Sequence, residues 1–270
     1  MNEYFYNGTS IKKLSSKGPF LIFVHGLGLN KNMWEWQVKK LSSNYSIITY
    51  DLYGHGESYK NYKSHNLKLF SNQINDILNF FEIEKTALFG FSLGGMIARR
   101  FAIDHSEKLW ALGILNSAHK RDHTARMAVQ KRVDLVKKHG PSITVENALE
   151  RWFTEKYRQN NLGTMNLIKD WVLANDKKAY PKSYQVLLDG VDELLDDKLP
   201  ISCPTLILTG DEDYGNSPDM SKAISKQISG STLKILPGLR HMALIEDHEQ
   251  VNSVIINFLK NILFMQGEDL

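Results

Sequence analysis

The chain has 270 residues, 42% of them hydrophobic and 10% aromatic, with 33 Lys and Arg against 30 Asp and Glu. At about 150 residues per domain that length suits one large α/β domain or one domain carrying an insertion, and the near-average composition excludes a disordered or fibrous chain. A net charge of +3 is too small and too mixed for a surface that tracks phosphates, so no nucleic-acid partner is expected. The single cysteine, Cys203, excludes an intramolecular disulfide and a thiolate zinc cluster. Near the start there is an early acid, Glu3, and no apolar run of signal-peptide length. The longest apolar stretch, Pro19 to Val24, is far short of the ~20 residues that cross a bilayer, so a cytoplasmic protein with no membrane partner is expected.

In chain order, Tyr4 to Tyr6 and Ile11 to Leu14 flank Asn7-Gly8 and predict an antiparallel hairpin at a sheet edge. Short apolar, β-branched runs follow at Phe20 to Val24, Ser46 to Tyr50, Thr86 to Phe89 and Leu109 to Leu115. They do not alternate with polar residues, which suits strands buried on both faces. Between them, Leu67, Phe70, Ile74, Ile77, Leu78 and Phe81 stripe one face of a helix. From about Ser117 to Pro200 the strand pattern stops. Ala125, Ala128, Val129, Val133 and Val136 predict one helix, stopped by Gly140-Pro141; Ala148, Leu149, Trp152 and Phe153 predict a second; Met165, Ile168, Trp171 and Val172 predict a third. Strands resume at Thr205 to Thr209 and Thr232 to Leu236, and Val251, Val254, Ile255, Phe258, Leu259 and Ile262 stripe a last helix. Strand alternating with helix implies a mostly parallel, doubly wound sheet covered on both sides. Residues 1–117 and 201–270 are read as its core, and residues 118–200 as a helical insertion packed over one edge of the sheet.

The most informative residues are Gly90-Phe91-Ser92-Leu93-Gly94, directly after a buried run and before the helical Met96, Ile97 and Phe101. This is the strand, sharp turn and helix that a G-x-S-x-G nucleophile elbow requires; the alternative is a glycine-rich turn with an incidental serine. Serine attacks at neutral pH only when a base removes its proton and a carboxylate holds that base in its tautomer. Both partners follow late strands. Gly210-Asp211-Glu212-Asp213 comes after Thr209, and Gly238-Leu239-Arg240-His241 after Leu236. Asp211, Glu212 and Asp213 compete for the orienting role. Asp213 is favoured, because four positions past the strand let the loop turn back toward His241, and Asp211 is the nearest rival. The oxyanion of a tetrahedral intermediate needs donors, which the backbone N–H groups of Leu93 and of Leu27, in the turn Gly26-Leu27-Gly28, are placed to supply. A dinucleotide fingerprint would need a third glycine at position 31, which is Lys31.

Together these residues resemble the α/β-hydrolase fold superfamily over essentially the whole chain. The matching motifs are the elbow, His25-Gly26 after an early strand, the D-x-x-G-x-G-x-S loop Asp51 to Ser58, and His241 with its Gly238 turn. The resemblance implies an α/β-hydrolase fold with a helical cap between two late strands. It selects Asp213, through the family's G-x-x-D pattern, over the acid that some members carry after the earlier strand, where this chain has Asn116. Ser92 argues against dehalogenases and epoxide hydrolases, which use aspartate at the elbow. Arg151-Trp152-Phe153-Thr154 looks similar to the caps of 3-oxoadipate enol-lactonases and small carboxylesterases.

The expectation is therefore a serine hydrolase of a small carboxylic ester or lactone, with Ser92, Asp213 and His241 catalytic, Leu27 and Leu93 forming the oxyanion hole, and no metal or organic cofactor. Trp34, Trp152, Phe153 and Trp171 are candidates for the substrate pocket, and Arg121, Arg126 and Arg151 for neutralising a substrate carboxylate. His119 and His123 have metal-ligand spacing but no accompanying H-E-x-x-H pattern, which favours a solvated helix start. A monomer or homodimer is expected. Two further readings remain: a ligand-sensing protein that presents its cap to a partner, and C–C bond hydrolysis by the same triad.

Overall fold

The computed structural model describes residues 1–16, 18–196 and 200–266. Eight strands form one sheet: β1 (Asn2–Tyr6), β2 (Thr9–Leu14), β3 (Phe20–Val24), β4 (Ser46–Tyr50), β5 (Thr86–Phe91), β6 (Leu109–Leu115), β7 (Thr205–Gly210) and β8 (Thr232–Leu236). Their order is β1-β2-β4-β3-β5-β6-β7-β8. The hairpin turns at Asn7 and Gly8, both with positive φ, and β2 joins the sheet antiparallel to β4. Every pairing from β4 to β8 is parallel.

Successive residues of each central strand feed opposite faces of the sheet. Ile22, Val24 and Leu88 pack with α2 (Leu67–Phe80) and α3 (Leu93–Asp104) on one side; Leu21, Phe23 and Phe89 pack with α11 (His248–Gln266) on the other. Both layers are fully buried, which is why these strands read as continuous apolar runs. The remaining core helices are α1 (Glu35–Leu41), α9 (Pro218–Gln227) and α10 (Ala243–Glu246).

Among the described residues, five α-helices lie between β6 and β7: α4 (His123–His139), α5 (Val145–Trp152), α6 (Glu155–Asn160), α7 (Leu162–Leu173) and α8 (Tyr180–Asp189). The apolar periodicity found three of them. It missed α6, which is short and has no buried residue, and α8, whose signals were Pro181 in the first turn and the stripe Tyr180, Tyr184, Leu188. α4 starts at an Asp122 cap and ends at Gly140, and it packs on α8, while α5 packs on α7. This cap stands over the carboxyl ends of the strands and not simply along one edge, because its residues share a cavity with the loops that leave β3, β5, β7 and β8. No helix among the described residues is long and apolar enough to cross a membrane.

Candidate active site

At the end of β5 the chain turns so sharply that Ser92 has φ 56° and ψ −114°, and α3 begins one residue later. A non-glycine residue in this region carries strain of about 1–3 kcal/mol. The surroundings hold it there. Ser92 N–H donates to the Leu115 carbonyl at 2.9 Å, and the Ser92 carbonyl accepts from Gly95 N–H and from the Ser117 hydroxyl, both at 3.0 Å. The flanking glycines are dictated by proximity. A Cβ at Gly94 would lie 2.2 Å from the Val24 carbonyl oxygen, and one at Gly90 only 2.1 Å from that of Gly94. The elbow motif is thus the sequence that lets α3 start against β3 and β5 with no side chain between.

Three side chains separated by up to 149 positions meet at this turn. His241 Nε2 lies 3.1 Å from Ser92 Oγ, and His241 Nδ1 lies 2.7 Å from Asp213 Oδ2. Asp213 is 1% exposed and accepts from the backbone N–H groups of Gly215 and Asn216 and from the Asn116 side-chain amide at 3.0 Å. Because an ionised carboxylate only accepts, the His241 proton sits on Nδ1, and Nε2 is left to accept the Ser92 hydroxyl. Of the three competing acids, Asp213 is the one that reaches the imidazole; Asp211 instead accepts from Gly238 N–H at 2.7 Å and closes the histidine loop. Asn116, at the position where some family members carry the acid, holds Asp213 in place. Asn116 sits directly after β6 with φ 47°.

The turn after β3 is fixed from below. His25 is fully buried; its Nε2 accepts from Leu52 N–H at 2.9 Å and its Nδ1–H donates to the Gly26 carbonyl at 2.8 Å. Burial holds this imidazole neutral and lowers its pKa to about 4. His55, equally buried beside it, is pushed well below the ordinary histidine range chiefly by burial and then by His25. Lys31, 3% exposed, donates to Asp51 at 3.0 Å, to Ser10 at 2.9 Å and to Glu57. Burial alone would lower the Lys31 pKa, but Asp51 and Glu57 outweigh it and leave the ammonium above the ordinary lysine value. The Asp51 loop thereby pins the Leu27 turn. Neither Leu27 N–H nor Leu93 N–H has an acceptor among the described residues, so both are available to a ligand oxygen.

The cavity above Ser92 has a floor that includes Leu27, Phe91 and His241, and a cap side that includes Trp152, Tyr180, Tyr184, Arg121, Arg132 and Arg151. Of the four aromatic candidates only Trp152 lines it, with its ring centroid 6.3 Å from that of His241. Trp34 is fully buried against Phe23, with centroids 4.8 Å apart, and belongs to the core below. Phe153 is also fully buried and stacks on Tyr157, and Trp171 packs into the cap interior. Arg126 turns outward to Asp189 and Asp192; Arg132, one and a half turns further along α4, faces in instead. Among the described residues no group of three or more His, Cys, Asp or Glu side chains is placed to hold a metal.

The cap is laced to the histidine loop. Arg240 Nη1 donates to the carbonyls of Glu150 and Phe153, at 2.8 and 3.1 Å, and Met242 N–H donates to the Trp152 carbonyl at 2.9 Å. Glu246 accepts from Thr154 N–H and from its hydroxyl.

Residues 17–248 match the model of the family described as serine aminopeptidase, S33. The chain belongs to this family of α/β hydrolases. Among curated relatives, it is 27% identical to 3-oxoadipate enol-lactonase 1 of Acinetobacter baylyi over 90% of both chains. It is 25% identical to the (E)-2-((N-methylformamido)methylene)succinate hydrolase of the same organism, covering 90% of this chain and 91% of the relative. Among solved structures, a thermophilic esterase from Thermogutta terrifontis shares the fold with a TM-score of 0.86 and 23% identity, covering 94% of this chain and 93% of that one. The enol-lactonase of Burkholderia xenovorans LB400 gives the same score at 21% identity, covering 96% of this chain and all of that one. As an S33-family hydrolase, the chain is thus related to enol-lactonases, and it shares its fold with an esterase.

Proposed function

We propose that the protein hydrolyses a small carboxylic ester or lactone through a serine-bound acyl intermediate. The observation that carries this reading is the continuous chain of hydrogen bonds from Ser92 through His241 to Asp213. Ser92 Oγ attacks the carbonyl carbon while His241 Nε2 takes the hydroxyl proton. The resulting oxyanion accepts from the N–H groups of Leu27 and Leu93, and the imidazolium is stabilised by Asp213. Collapse expels the alcohol, which receives the proton from Nε2. In a lactone the alcohol stays tethered to the acyl group. Water then attacks the acyl carbon with His241 as base, releasing the acid and restoring Ser92. The names of the enol-lactonase and esterase relatives favour an ester or lactone bond over a peptide bond. Hydrolysis of a short-chain aryl ester, with and without a serine-directed phosphonate, tests the reading. Turnover that persists in Ser92→Ala overturns it.

A further inference from the structure

Partly desolvated arginines in proteins ordinarily have a carboxylate partner, because an unpaired cation away from water is costly. On the outer side of α4, Arg126 follows that rule with Asp189 and Asp192. Facing the cavity, the rule is broken three times, by Arg121 just before α4, Arg132 on α4 and Arg151 on α5. Arg121, Arg132 and Arg151 all line the space above Ser92, and among the described residues none has an acidic side chain within ion-pair distance. Each is instead steadied by one bond to a neutral oxygen. Arg121 donates to the Leu187 carbonyl at 3.1 Å, Arg132 through Nε to the Tyr184 hydroxyl at 3.1 Å, and Arg151 to the Asn147 carbonyl at 2.8 Å.

That arrangement orients three forks and leaves most of their donors without a protein acceptor. Arg132 in particular keeps both Nη groups, the pair that meets a carboxylate edge to edge. Tyr184 accepts from Arg132, so its own O–H proton also remains to be given. Burial and then the nearby Arg132 lower the Arg121 pKa to about 10, and the same two causes lower that of Arg151. Arg132 thus repels both of its neighbours across the cavity. Asp213, the one acid of the cavity wall, is already committed to His241.

We infer that Arg121, Arg132 and Arg151 form a recognition site for a substrate carrying two carboxylate groups besides the bond that is cleaved. A neutral acyl group would leave three unmatched cations in the cavity. A single carboxylate offers one bidentate edge and two oxygens, which satisfies at most two forks, whereas two carboxylates match three forks and the Tyr184 hydroxyl. This inference rests on the proposed ester or lactone hydrolysis and names its substrate class.

The test uses three 4-nitrophenyl esters of similar length: butyrate, the half-ester of glutarate, and the mono-ester of propane-1,2,3-tricarboxylate, with zero, one and two free carboxylates. The expected kcat/KM rises along the series, and the ratio of the dianionic to the neutral ester falls roughly tenfold to a hundredfold in Arg132→Gln or Arg151→Gln, the range of a lost charge-assisted bond. Arg132→Lys, which keeps the charge and loses the fork, restores only part of the ratio. Reading a ratio within one variant removes any loss of folded protein. Ser92-dependent hydrolysis of butyrate with no gain for the charged esters overturns the inference and leaves the proposed function standing. Absence of hydrolysis for all three overturns the proposed function; the inference is then decided by calorimetry on Ser92→Ala. There, succinate should bind at least tenfold more tightly than butyrate and weaken in Ser92→Ala/Arg132→Gln, and equal binding overturns it.

Discussion

The floor and the roof of the cavity are built on opposite terms. On the floor the acid, the buried histidine beneath the Leu27 turn and the buried lysine are partnered within the chain: Asp213 has four donors, His25 has one bond at each nitrogen, and Lys31 reaches two carboxylates and a hydroxyl. On the roof three guanidiniums face inward with no acid to meet them among the described residues. In the proposed reaction the side chains that act on every turnover are held in position before substrate arrives. Groups that choose a substrate are left incomplete, so that the right ligand supplies what is missing.

This contrast gives a hierarchy of effects. The largest break is Ser92→Ala, expected to lower kcat on the order of 10⁵-fold on all substrates alike, measured by single-turnover release of nitrophenol. Asp213→Asn leaves the geometry in place but allows the wrong histidine tautomer, and is expected to cost roughly 10⁴ in kcat, again irrespective of substrate charge. A roof substitution acts differently, reordering substrates as set out for Arg132. Beneath the floor, Lys31→Met strands Asp51, 1% exposed, without its cation. About 3–5 kcal/mol of stability should be lost in urea unfolding at neutral pH, because breaking a buried pair leaves an uncompensated charge. Glu57 adds little to this, since its side chain is 70% exposed.

The smallest effect is set by pH. Free histidine binds a proton near pH 6.5, whereas His25 in the folded chain does so only near 4. Between those values the unfolded state holds more protons, so the stability contributed by neutral His25 is whole above 6.5 and is lost as pH falls toward 4. Urea curves should show roughly 2 kcal/mol less stability at pH 5 than at pH 7 from this group, with His55 acting in the same direction. In His25→Asn that pH-dependent loss should shrink. An undiminished loss would assign it elsewhere.

The floor was legible in the chain because its signals are local and backbone-driven. Phe20 to Val24 and Thr86 to Phe91 are buried on both faces, so their apolar runs mark strands directly. Glycines at 90 and 94 mark a close approach that no other residue permits. Asp213 and His241 follow from where β7 and β8 end. The roof was legible only in outline. A cap helix buries part of its surface against other cap helices and part over the cavity, and both parts are apolar. Periodicity alone therefore does not tell Trp152, which faces Ser92, from Phe153 and Trp171, which hold the cap together. Arg126 and Arg132 pose the same difficulty on α4, where the inward direction is decided by α8, an element whose mixed sequence hid it.

The lacing of Arg240, Met242 and Glu246 to residues 150–154 has a practical consequence for engineering. Exchanging the lid for that of another hydrolase, to obtain a new selectivity, would sever bonds that also anchor the His241 loop. A chimera that carries positions 240–246 along with the transplanted helices keeps both halves of the joint from one parent. Grafts cut at the strand ends alone should fold with a displaced imidazole and turn over poorly, whatever their new pocket accepts.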